Sequence, residues 1–226
     1  MGEVEQGLVI SLRRIKNINQ VKELKDLNCR IFIDIPIGLV SAPMKYRECD
    51  HEARRRLSPR RHSSVFPAPA RKTLEATSYR NACEINKAET GKMLSIQSYN
   101  LIGKIKEVDH LLSEKIYRNI IYECHPEIAF LCLSGNVMRN SKKTAAGLHE
   151  RSEILSHFIK DFSSSKALKY KQDLRVAADD ILDALALAVF SSRSGKKPGT
   201  LPVNPPFDKK RLPMQIVFSD NQITIF

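Results

Sequence analysis

The sequence contains no tryptophan, and only 7% of its residues are aromatic. A surface that stacks successive single-stranded bases needs aromatic rings, so the composition gives little support to that kind of recognition. Glycine is also scarce, with nine residues in 226, and neither a GxGxxG nor a GxxxxGK segment occurs. Phosphate-binding loops are built from such segments, so the sequence disfavours a phosphotransferase. The lack of a GxSxG segment likewise removes support for a serine hydrolase.

Cysteine pairs and long apolar runs are missing as well. The five cysteines are an odd number and include no CxxC pair, which argues against a disulfide framework and against a structural zinc site. No segment approaches about 18 consecutive apolar residues, so we expect no membrane span. The N-terminal segment does not have the basic start and apolar stretch of a secretory signal, and the expected location is the cytoplasm.

Positive charge is what the sequence has in excess. The formal net charge is +12, from 37 Lys and Arg residues against 25 Asp and Glu residues. Such an excess favours a polyanionic partner, with nucleic acid first, although basic proteins can also use charge simply to stay in solution. With 226 residues, of which 42% are hydrophobic, the chain can bury the core of one medium-sized domain.

Apolar patterns along the chain predict strands that alternate with helices. The predicted strands are 8–15, 30–35, 119–124 and a C-terminal hairpin over 214–226. The predicted helices are 18–27, one that begins at Pro126, 142–160 and 174–191. A basic stretch of helices and loops at about 41–107 interrupts this order. We therefore predict a single α/β domain over 1–226, with a mixed sheet flanked by helices and a basic insertion.

Four carboxylates lie in apolar surroundings, where an unpaired charge is costly. Asp34 interrupts the strand in CRIFIDIPIGLV, Glu123 ends the strand in NIIYEC, and Asp180 and Asp183 are three residues apart in DDILDALALAVF. That spacing places both aspartates on one face of a helix that is apolar almost all round. Carboxylates that converge repel one another unless a cation joins them, and hard oxygen ligands suit Mg²⁺ or Mn²⁺.

Simpler roles are open for each of these residues. Asp180 could cap its helix or compensate the helix dipole, as Asp179 could, and Asp34 could cap the turn that follows it. Glu123 could pair with one of the many basic residues. An acidic cluster beside a basic surface is nevertheless the layout of phosphodiester hydrolysis by two metal ions. The four carboxylates are therefore the predicted catalytic residues and metal ligands.

Several segments together resemble a known family. In order along the chain they are IDIPIGLV, RECDHEARRRL, SSVFPAPAR, TGKMLSIQSYN, ECHPEIAF, SKKTAAG and DDILDALALA, within about 31–218. They resemble the predicted ribonuclease H-like nucleases catalogued as domain-of-unknown-function family 429. The resemblance implies a ribonuclease H-like fold and a last helix similar to that of Holliday-junction resolvases. By position, Asp34, Asp180 and Asp183 then fall on the metal-binding acids of such resolvases.

The resemblance also includes one departure. Nucleases of this superfamily place a central acid on their first strand, in a Gly-x-Asp-Gly context, whereas this chain starts MGEVEQGLVISLRR and has no aspartate before Asp26. The comparison with the family therefore implies that the N-terminal strand is absent here. Removing one member of a cooperative catalytic unit costs orders of magnitude in rate, so we expect binding of metal and nucleic acid with little cleavage.

Basic residues concentrate at two places. Arg54, Arg55, Arg56, Arg60 and Arg61 form one group, and Lys142 and Lys143 form a second group at a predicted helix start. Contacts from such groups to phosphates position a nucleic acid without reading its sequence, and they weaken steeply with salt. The alternative for the arginines is a solvated helix face with partners such as Glu52.

Three functions remain open at this point. The leading one is a metal-dependent nuclease, or an inactive descendant of one, that acts on DNA or RNA. The second is a protein that binds nucleic acid without catalysis, which the missing first-strand acid favours. The third is a phosphotransferase of the same superfamily, which the scarcity of glycine disfavours.

Overall fold

The structure is a computed structural model in which residues 1–5, 8–23, 29–195 and 197–219 are described. The strands are β1 (Gly2–Glu5), β2 (Leu8–Leu12), β3 (Ile31–Ile33), β4 (Ile121–Glu123), β5 (Thr200–Leu201) and β6 (Ile216–Val217). The α-helices are α1 (Glu48–Arg56), α2 (Tyr79–Thr90), α3 (Ile96–Asn100), α4 (Ile102–Leu111), α5 (Pro126–Ser134), α6 (Ala145–Ser156), α7 (Ser164–Leu174) and α8 (Ala178–Arg193). Short 3-10 segments cover Ile18–Glu23, His62–Ser64, Arg71–Glu75 and Lys115–Asn119. None of these described helices is long and apolar enough to cross a membrane.

The strands pair two by two. β3 and β4 are parallel, with Ile31 opposite Ile121 and Ile33 opposite Glu123. β1 and β2 form an antiparallel hairpin, and β5 and β6 are also antiparallel. A parallel pair needs a long crossover connection, and here the crossover contains α1 to α4. The mixed α/β class is thus confirmed, but within the described ranges the strands form three small sheets and not one mixed sheet.

Helix α8 lies at the centre of the main hydrophobic core. It contacts α5, α6, α7, β1 and β3, and its residues Leu182, Leu185 and Phe190 are fully buried. The Phe190 ring meets the Phe32 ring of β3 edge to face, with 5.6 Å between the ring centroids. Packing on several sides explains why the sequence of this helix is apolar nearly all round.

Two predicted helices begin later than their sequence pattern indicated. The helix predicted over 142–160 begins at Ala145, because the Thr144 side chain caps it by accepting a hydrogen bond from a backbone N–H of its first turn. The helix predicted over 174–191 begins at Ala178, because Arg175 adopts a left-handed φ of 53° that ends α7. The helix therefore starts immediately before its acidic residues.

The two ends of the chain also differ from the predictions. Residues 18–23 form a 3-10 segment and not an α-helix, and 24–27 of that predicted helix lie outside the described residues. Of the predicted C-terminal hairpin, Ile216–Val217 is a strand, but it pairs with Thr200–Leu201. The remainder of that hairpin, 220–226, lies outside the described residues.

The predicted basic insertion, 41–107, contains α1 to α3 and part of α4. Buried apolar side chains of the 3-10 segment Arg71–Glu75, of α2 and of α4 form a cluster with Leu39, which includes Leu74, Ala82 and Ile105. Helix α1 instead contributes Cys49 and Ala53 to the main core. Helix α1 also contacts β5 and β6, so the insertion packs against the rest of the fold.

Candidate functional site

Two polar residues follow the parallel strands at their common edge. Ile33 lies opposite Glu123, so Asp34 and His125 come shortly after the ends of β3 and β4. Ligands bind at the carboxyl ends of parallel strands in open α/β sheets. Asp34 is exposed to solvent, yet desolvation by the surrounding protein raises its pKa, while His125 and Lys142 oppose the rise. We call the surroundings of Asp34, which include His125 and Lys142, the cleft.

His125 has a defined role at the start of α5. The Glu127 N–H donates to His125 Nδ1 at 3.2 Å, so this nitrogen caps the helix as an acceptor. His125 Nε2 lies 3.3 Å from the Ser64 carbonyl oxygen. Because a carbonyl can only accept, Nε2 carries the proton in this arrangement.

Asp183 reaches the same cleft from α8. Its Oδ2 accepts a hydrogen bond from Lys142 Nζ at 2.6 Å, whereas its Oδ1 is buried and has no hydrogen-bond partner among the described residues. Burial raises the pKa of Asp183 to about 6; Lys142 opposes this rise, and Asp34 and Glu127 add to it. The structure thus brings together Asp34, Asp183 and Lys142 from the predicted set, with Glu127 nearby.

A buried ion pair joins α5 to α6. Arg151 is 0% exposed and donates to Glu127 Oε1 at 2.5 Å. Its guanidinium also donates to the carbonyl oxygens of Asn140, at 3.1 Å, and Gly147, at 3.2 Å. Glu127 Oε2, by contrast, is buried without a partner in the described part of the chain. One oxygen of Glu127 and one of Asp183 are therefore left unsatisfied.

The acids at the start of α8 differ in their burial and in their partners. Asp180 is exposed, whereas Asp179 is buried and accepts a hydrogen bond from Lys143 Nζ at 2.6 Å. The sequence pattern predicts Asp180 as the partner of Asp183, three residues away, but Asp179, four residues before Asp183, shares a helix face with it as well. For Asp179 the pattern offers capping or compensation of the helix dipole. The signal that could have identified the role of Asp179 is the match between two adjacent lysines, Lys142 and Lys143, and two acids one helical turn apart.

The loop that carries both lysines is tightly closed. A Cβ added at Gly147 would lie 1.9 Å from the Ser141 carbonyl oxygen, so only glycine fits there. Thr144 Oγ1 donates to the same Ser141 oxygen at 2.8 Å and accepts from the Gly147 N–H at 3.1 Å. The segment SKKTAAG therefore holds Lys142 and Lys143 in place against α8.

Glu123 takes part in a separate buried network. It pairs with Arg47, which also donates to Asp50 Oδ1 at 3.0 Å, and it accepts a hydrogen bond from the Ile37 N–H at 2.6 Å. Burial raises the pKa of Glu123 to about 7, and Arg47 and the Ile37 N–H oppose that rise. Burial would lower the pKa of Arg47, but Asp50 and Glu123 outweigh it and the pKa is raised. The donors on one oxygen favour the ionised form of Glu123, which is the ion-pair role that the sequence left open.

Two of the five clustered arginines hold loops in place. Arg54 donates to the Val65 carbonyl oxygen at 2.7 Å. Arg61 donates to the carbonyl oxygens of Met138, at 3.0 Å, and Arg139, at 2.7 Å. Their guanidinium groups are therefore already engaged in backbone contacts, and they are less free to meet phosphates than the prediction assumed.

The other three arginines of the cluster keep more of their surface in solvent. Arg55 and Arg60 are exposed, with Arg55 3.7 Å from Glu52, the predicted alternative partner. Arg56 is also exposed, and its guanidinium lies over the Phe218 ring, 4.5 Å from the centroid. Arg55 and Arg60 are thus the clearest candidates for contacts with a polyanion.

The cleft does not form a complete metal cage. In the ranges that the structure describes, no three His, Cys, Asp or Glu side chains are arranged so that they could hold a metal ion together. Asp34 and Asp183 supply two carboxylates, and Lys142 supplies the positive charge between them. Any divalent ion here would need further ligands from water or from a substrate.

Comparison with known proteins gives one match. A family model described as Protein of unknown function (DUF429) matches residues 4–208. No curated protein and no solved structure matches the chain. The matched range includes β3, β4, α5, the SKKTAAG loop and α8, which together build the cleft.

Proposed function

The chain belongs to the family described as Protein of unknown function (DUF429), and from that premise we propose that it is a Mg²⁺- or Mn²⁺-dependent nuclease, or an inactive descendant of one. The proposed reaction is hydrolysis of a phosphodiester bond in DNA or RNA. Asp34 and Asp183 are the proposed metal ligands. We also propose a cytoplasmic location, which suits five cysteines that form no disulfide.

The observation that carries this proposal is the unsatisfied Oδ1 of Asp183. A buried polar atom without a partner costs about 1–3 kcal/mol, and more when it is charged. Glu127 Oε2 is in the same state. Asp34 and Glu127 also lie close enough to raise the pKa of Asp183. A divalent cation would satisfy such oxygens and relieve the repulsion between the carboxylates.

The donors in the cleft suit a hard cation. Mg²⁺ is usually held by one or two carboxylates together with waters and substrate phosphates, so the two aspartates are a sufficient protein contribution. An ion bound there would supply an activated water and stabilise the leaving oxygen. Lys142 would have to move from Asp183 or share it with the ion.

The basic side chains of the cleft would bind the substrate. Lys142 is 35% exposed and Lys143 is 70% exposed, so a phosphate can reach both ammonium groups. Phosphate contacts of this kind orient the nucleic acid without reading its sequence. The exposed Arg55 and Arg60 would add to this electrostatic attraction.

A ribonuclease H-like fold is the architectural part of the proposal. Its support is the parallel pair of β3 and β4, with Asp34 directly after β3, and the packing of the acidic helix α8 on β3. The same juxtaposition of a strand acid and a helix acid motivates the nuclease function. Fold alone does not determine function, so the site chemistry has to be tested directly.

Binding of nucleic acid without cleavage is the second candidate function. The observation that favours it is the Lys142–Asp183 pair, which already places a positive charge where the metal would bind. The basic residues could then hold a polyanion while the acids only position the lysines. A phosphotransferase remains the least supported function, because the sequence has no glycine-rich phosphate loop.

The test is a gel assay of cleavage in Mn²⁺, with calorimetric titration of Mn²⁺ in parallel. Substrates are duplex DNA, an RNA–DNA hybrid and a branched junction, and the variants are Asp34→Asn and Asp183→Asn. Asp180→Asn is the matched control, since it changes an exposed acid of the same helix. Cleavage that disappears in the first two variants supports the nuclease. Duplex binding without Mn²⁺ binding would replace it with the second candidate.

A further inference from the structure

A second cavity lies outside the cleft, with a volume of about 260 Å³. It is lined by β4, by the segment that precedes β4, and by the loop that leads into β6. Asp34, His125 and Asp183 do not line this cavity. We define it as the Arg118–Arg211 pocket, after the two basic residues in its wall.

The floor of the Arg118–Arg211 pocket is apolar. Ile37, Leu112, Ile121 and Leu212 line it, and all four are buried. Small-molecule sites are typically concavities of this kind, with an apolar lining and a few polar groups that fix the orientation of the ligand. The volume is slightly below the range of about 300–1,000 Å³ for drug-sized ligands. The pocket therefore suits one planar ring system with a small attached group.

Two guanidinium groups give the pocket its charge. Arg118 Nε donates to the Leu112 carbonyl oxygen at 2.7 Å, which fixes the plane of the group and leaves its terminal nitrogens as donors. Neither Arg118 nor Arg211 has a carboxylate partner within the described ranges. A planar guanidinium without a carboxylate partner is suited to bind a phosphate or carboxylate through two parallel hydrogen bonds.

The loop that carries Arg211 is rigidly built. Asp208 Oδ1 accepts hydrogen bonds from the N–H groups of Lys210, at 2.8 Å, and Leu212, at 2.9 Å. Arg211 has a left-handed φ of 58°, a conformation that a glycine would adopt without strain. The bonds to Asp208 hold the turn in this conformation. The turn therefore keeps a long cationic side chain at the pocket where a glycine would fit the backbone better.

Two further groups complement the arginines. Phe207 lines the pocket and is 62% exposed, so much of its ring surface is available for stacking. Glu123 also lines the pocket, and its Oε2 is the oxygen that accepts from Ile37 and Arg47. The carboxylate can accept a further hydrogen bond from a ligand N–H group. An anion, a flat ring and an N–H donor are thus the features that this pocket would recognise.

We propose that the Arg118–Arg211 pocket binds a nucleoside monophosphate, with the phosphate on the two guanidinium groups and the base against Phe207. Each part of such a ligand matches one feature of the wall: a dianion for the arginines, a π-face for the phenyl ring, and an amino or imino N–H for Glu123. The assignment is independent of metal chemistry at Asp34 and Asp183, because those residues do not line the pocket.

The test is calorimetric titration of the full chain with each of the four nucleoside monophosphates, the matched nucleosides and inorganic phosphate. EDTA is present throughout, so that no divalent ion can support binding in the cleft. The variants are Arg118→Gln and Arg211→Gly; the second removes the guanidinium but suits the left-handed φ, and it should not impair folding. Arg80→Gln is the control, because Arg80 is a highly exposed arginine of α2.

We expect saturable binding of at least one monophosphate, weaker binding of its nucleoside, and a loss of about tenfold or more in affinity in each pocket variant. Arg80→Gln should bind as the unchanged chain does. Equal affinity for inorganic phosphate and for the monophosphates would overturn the proposal, since the ring would then contribute nothing. Unchanged binding in Arg211→Gly, or no binding of any monophosphate, would overturn it as well.

Discussion

Lys142 Nζ lies 2.6 Å from Asp183 Oδ2, so the acid that the sequence assigned to a metal ion is paired with an internal cation. Only one of its two oxygens is satisfied in this way, because Oδ1 is buried without a partner among the described residues. A half-satisfied buried carboxylate is unfavourable for folding. The half-satisfied Asp183 should therefore lower the free energy of unfolding, which can be measured.

We predict that Asp183→Asn stabilises the chain at neutral pH. Burial raises the pKa of Asp183 to about 6 from an ordinary value of 3.8. The folded state therefore gains stability from this group below pH 4 and loses it as the pH rises towards 6. About 2 pKa units correspond to about 3 kcal/mol, an upper limit for the gain at pH 7. Urea unfolding at pH 4 and pH 7 should show a benefit of the variant that grows with pH.

The control for this measurement is Asp180→Asn, which changes an exposed acid of the same helix and should shift the free energy of unfolding by about 0.5 kcal/mol or less. The denaturant slope should be the same for all three chains, so that midpoints can be compared. The quantity to compare is the free energy of unfolding of Asp183→Asn minus that of the unchanged chain. If this difference were lower at pH 7 than at pH 4, the pair with Lys142 would outweigh the cost of burying the carboxylate.

We predict that Lys142→Gln binds Mn²⁺ more tightly, by about tenfold or more. The ammonium group competes with any metal ion for Asp183, and the substitution removes that charge while it keeps a side chain of similar length. Mn²⁺ affinity should also fall below about pH 6 in the unchanged chain, because Asp183 must lose its proton before it can bind the ion. Titration calorimetry at pH 5 and pH 7 measures both effects.

Lys143→Gln is the matched control for the metal measurement, since Lys143 pairs with Asp179 and not with Asp183. It should change Mn²⁺ affinity less than Lys142→Gln does. A weaker Mn²⁺ affinity in Lys142→Gln would mean that the lysine supports the geometry of the acids. The prediction that lysine and metal compete would then be wrong.

We predict that Arg55→Gln with Arg60→Gln lowers the salt dependence of duplex binding. Both residues are exposed, whereas Arg54 and Arg61 donate hydrogen bonds to backbone carbonyl oxygens. If both contact phosphates, the slope of log affinity against log salt should fall by about 1.8. Arg80→Gln with Lys169→Gln applies the same charge change to exposed residues of α2 and α7. An equal reduction in this control would show that only net charge matters.

Local patterns in the sequence were sufficient to predict the strands and helices that build the cleft. The apolar runs around Phe32 and Tyr122 predicted β3 and β4, and Pro126 predicted the start of α5. Boundaries shifted where a single backbone feature decided them, as with the Thr144 cap and the left-handed Arg175. These features depend on side-chain hydrogen bonds and on φ values, which periodicity does not report.

The partners of the acids were harder to predict than the elements that carry them. Asp34 and Asp183 come together because β3 packs on α8, and that contact joins distant parts of the chain. The partner of Glu123 is Arg47, 76 residues away in sequence, and nothing in the local pattern selects it from the 37 basic residues. Pairing in three dimensions therefore decides which carboxylates remain available to a ligand.

We predict that Gly147→Ala disrupts the lysine loop, because the new Cβ would lie 1.9 Å from the Ser141 carbonyl oxygen. The atoms in the way belong to the backbone of Ser141 and Lys142 and not to a flexible side chain, so the chain should lose about 1–3 kcal/mol of stability, as overpacked sites do. Gly103→Ala is the matched control: it also lies in a helix, and its new Cβ would have no neighbour within 4 Å. That variant should be as stable as the unchanged chain or slightly more stable. Urea unfolding measures both, and Mn²⁺ titration reports on the cleft. If Gly147→Ala unfolded at the same urea concentration as Gly103→Ala, the loop would be adaptable, and Lys142 would not be held against Asp183 by its backbone.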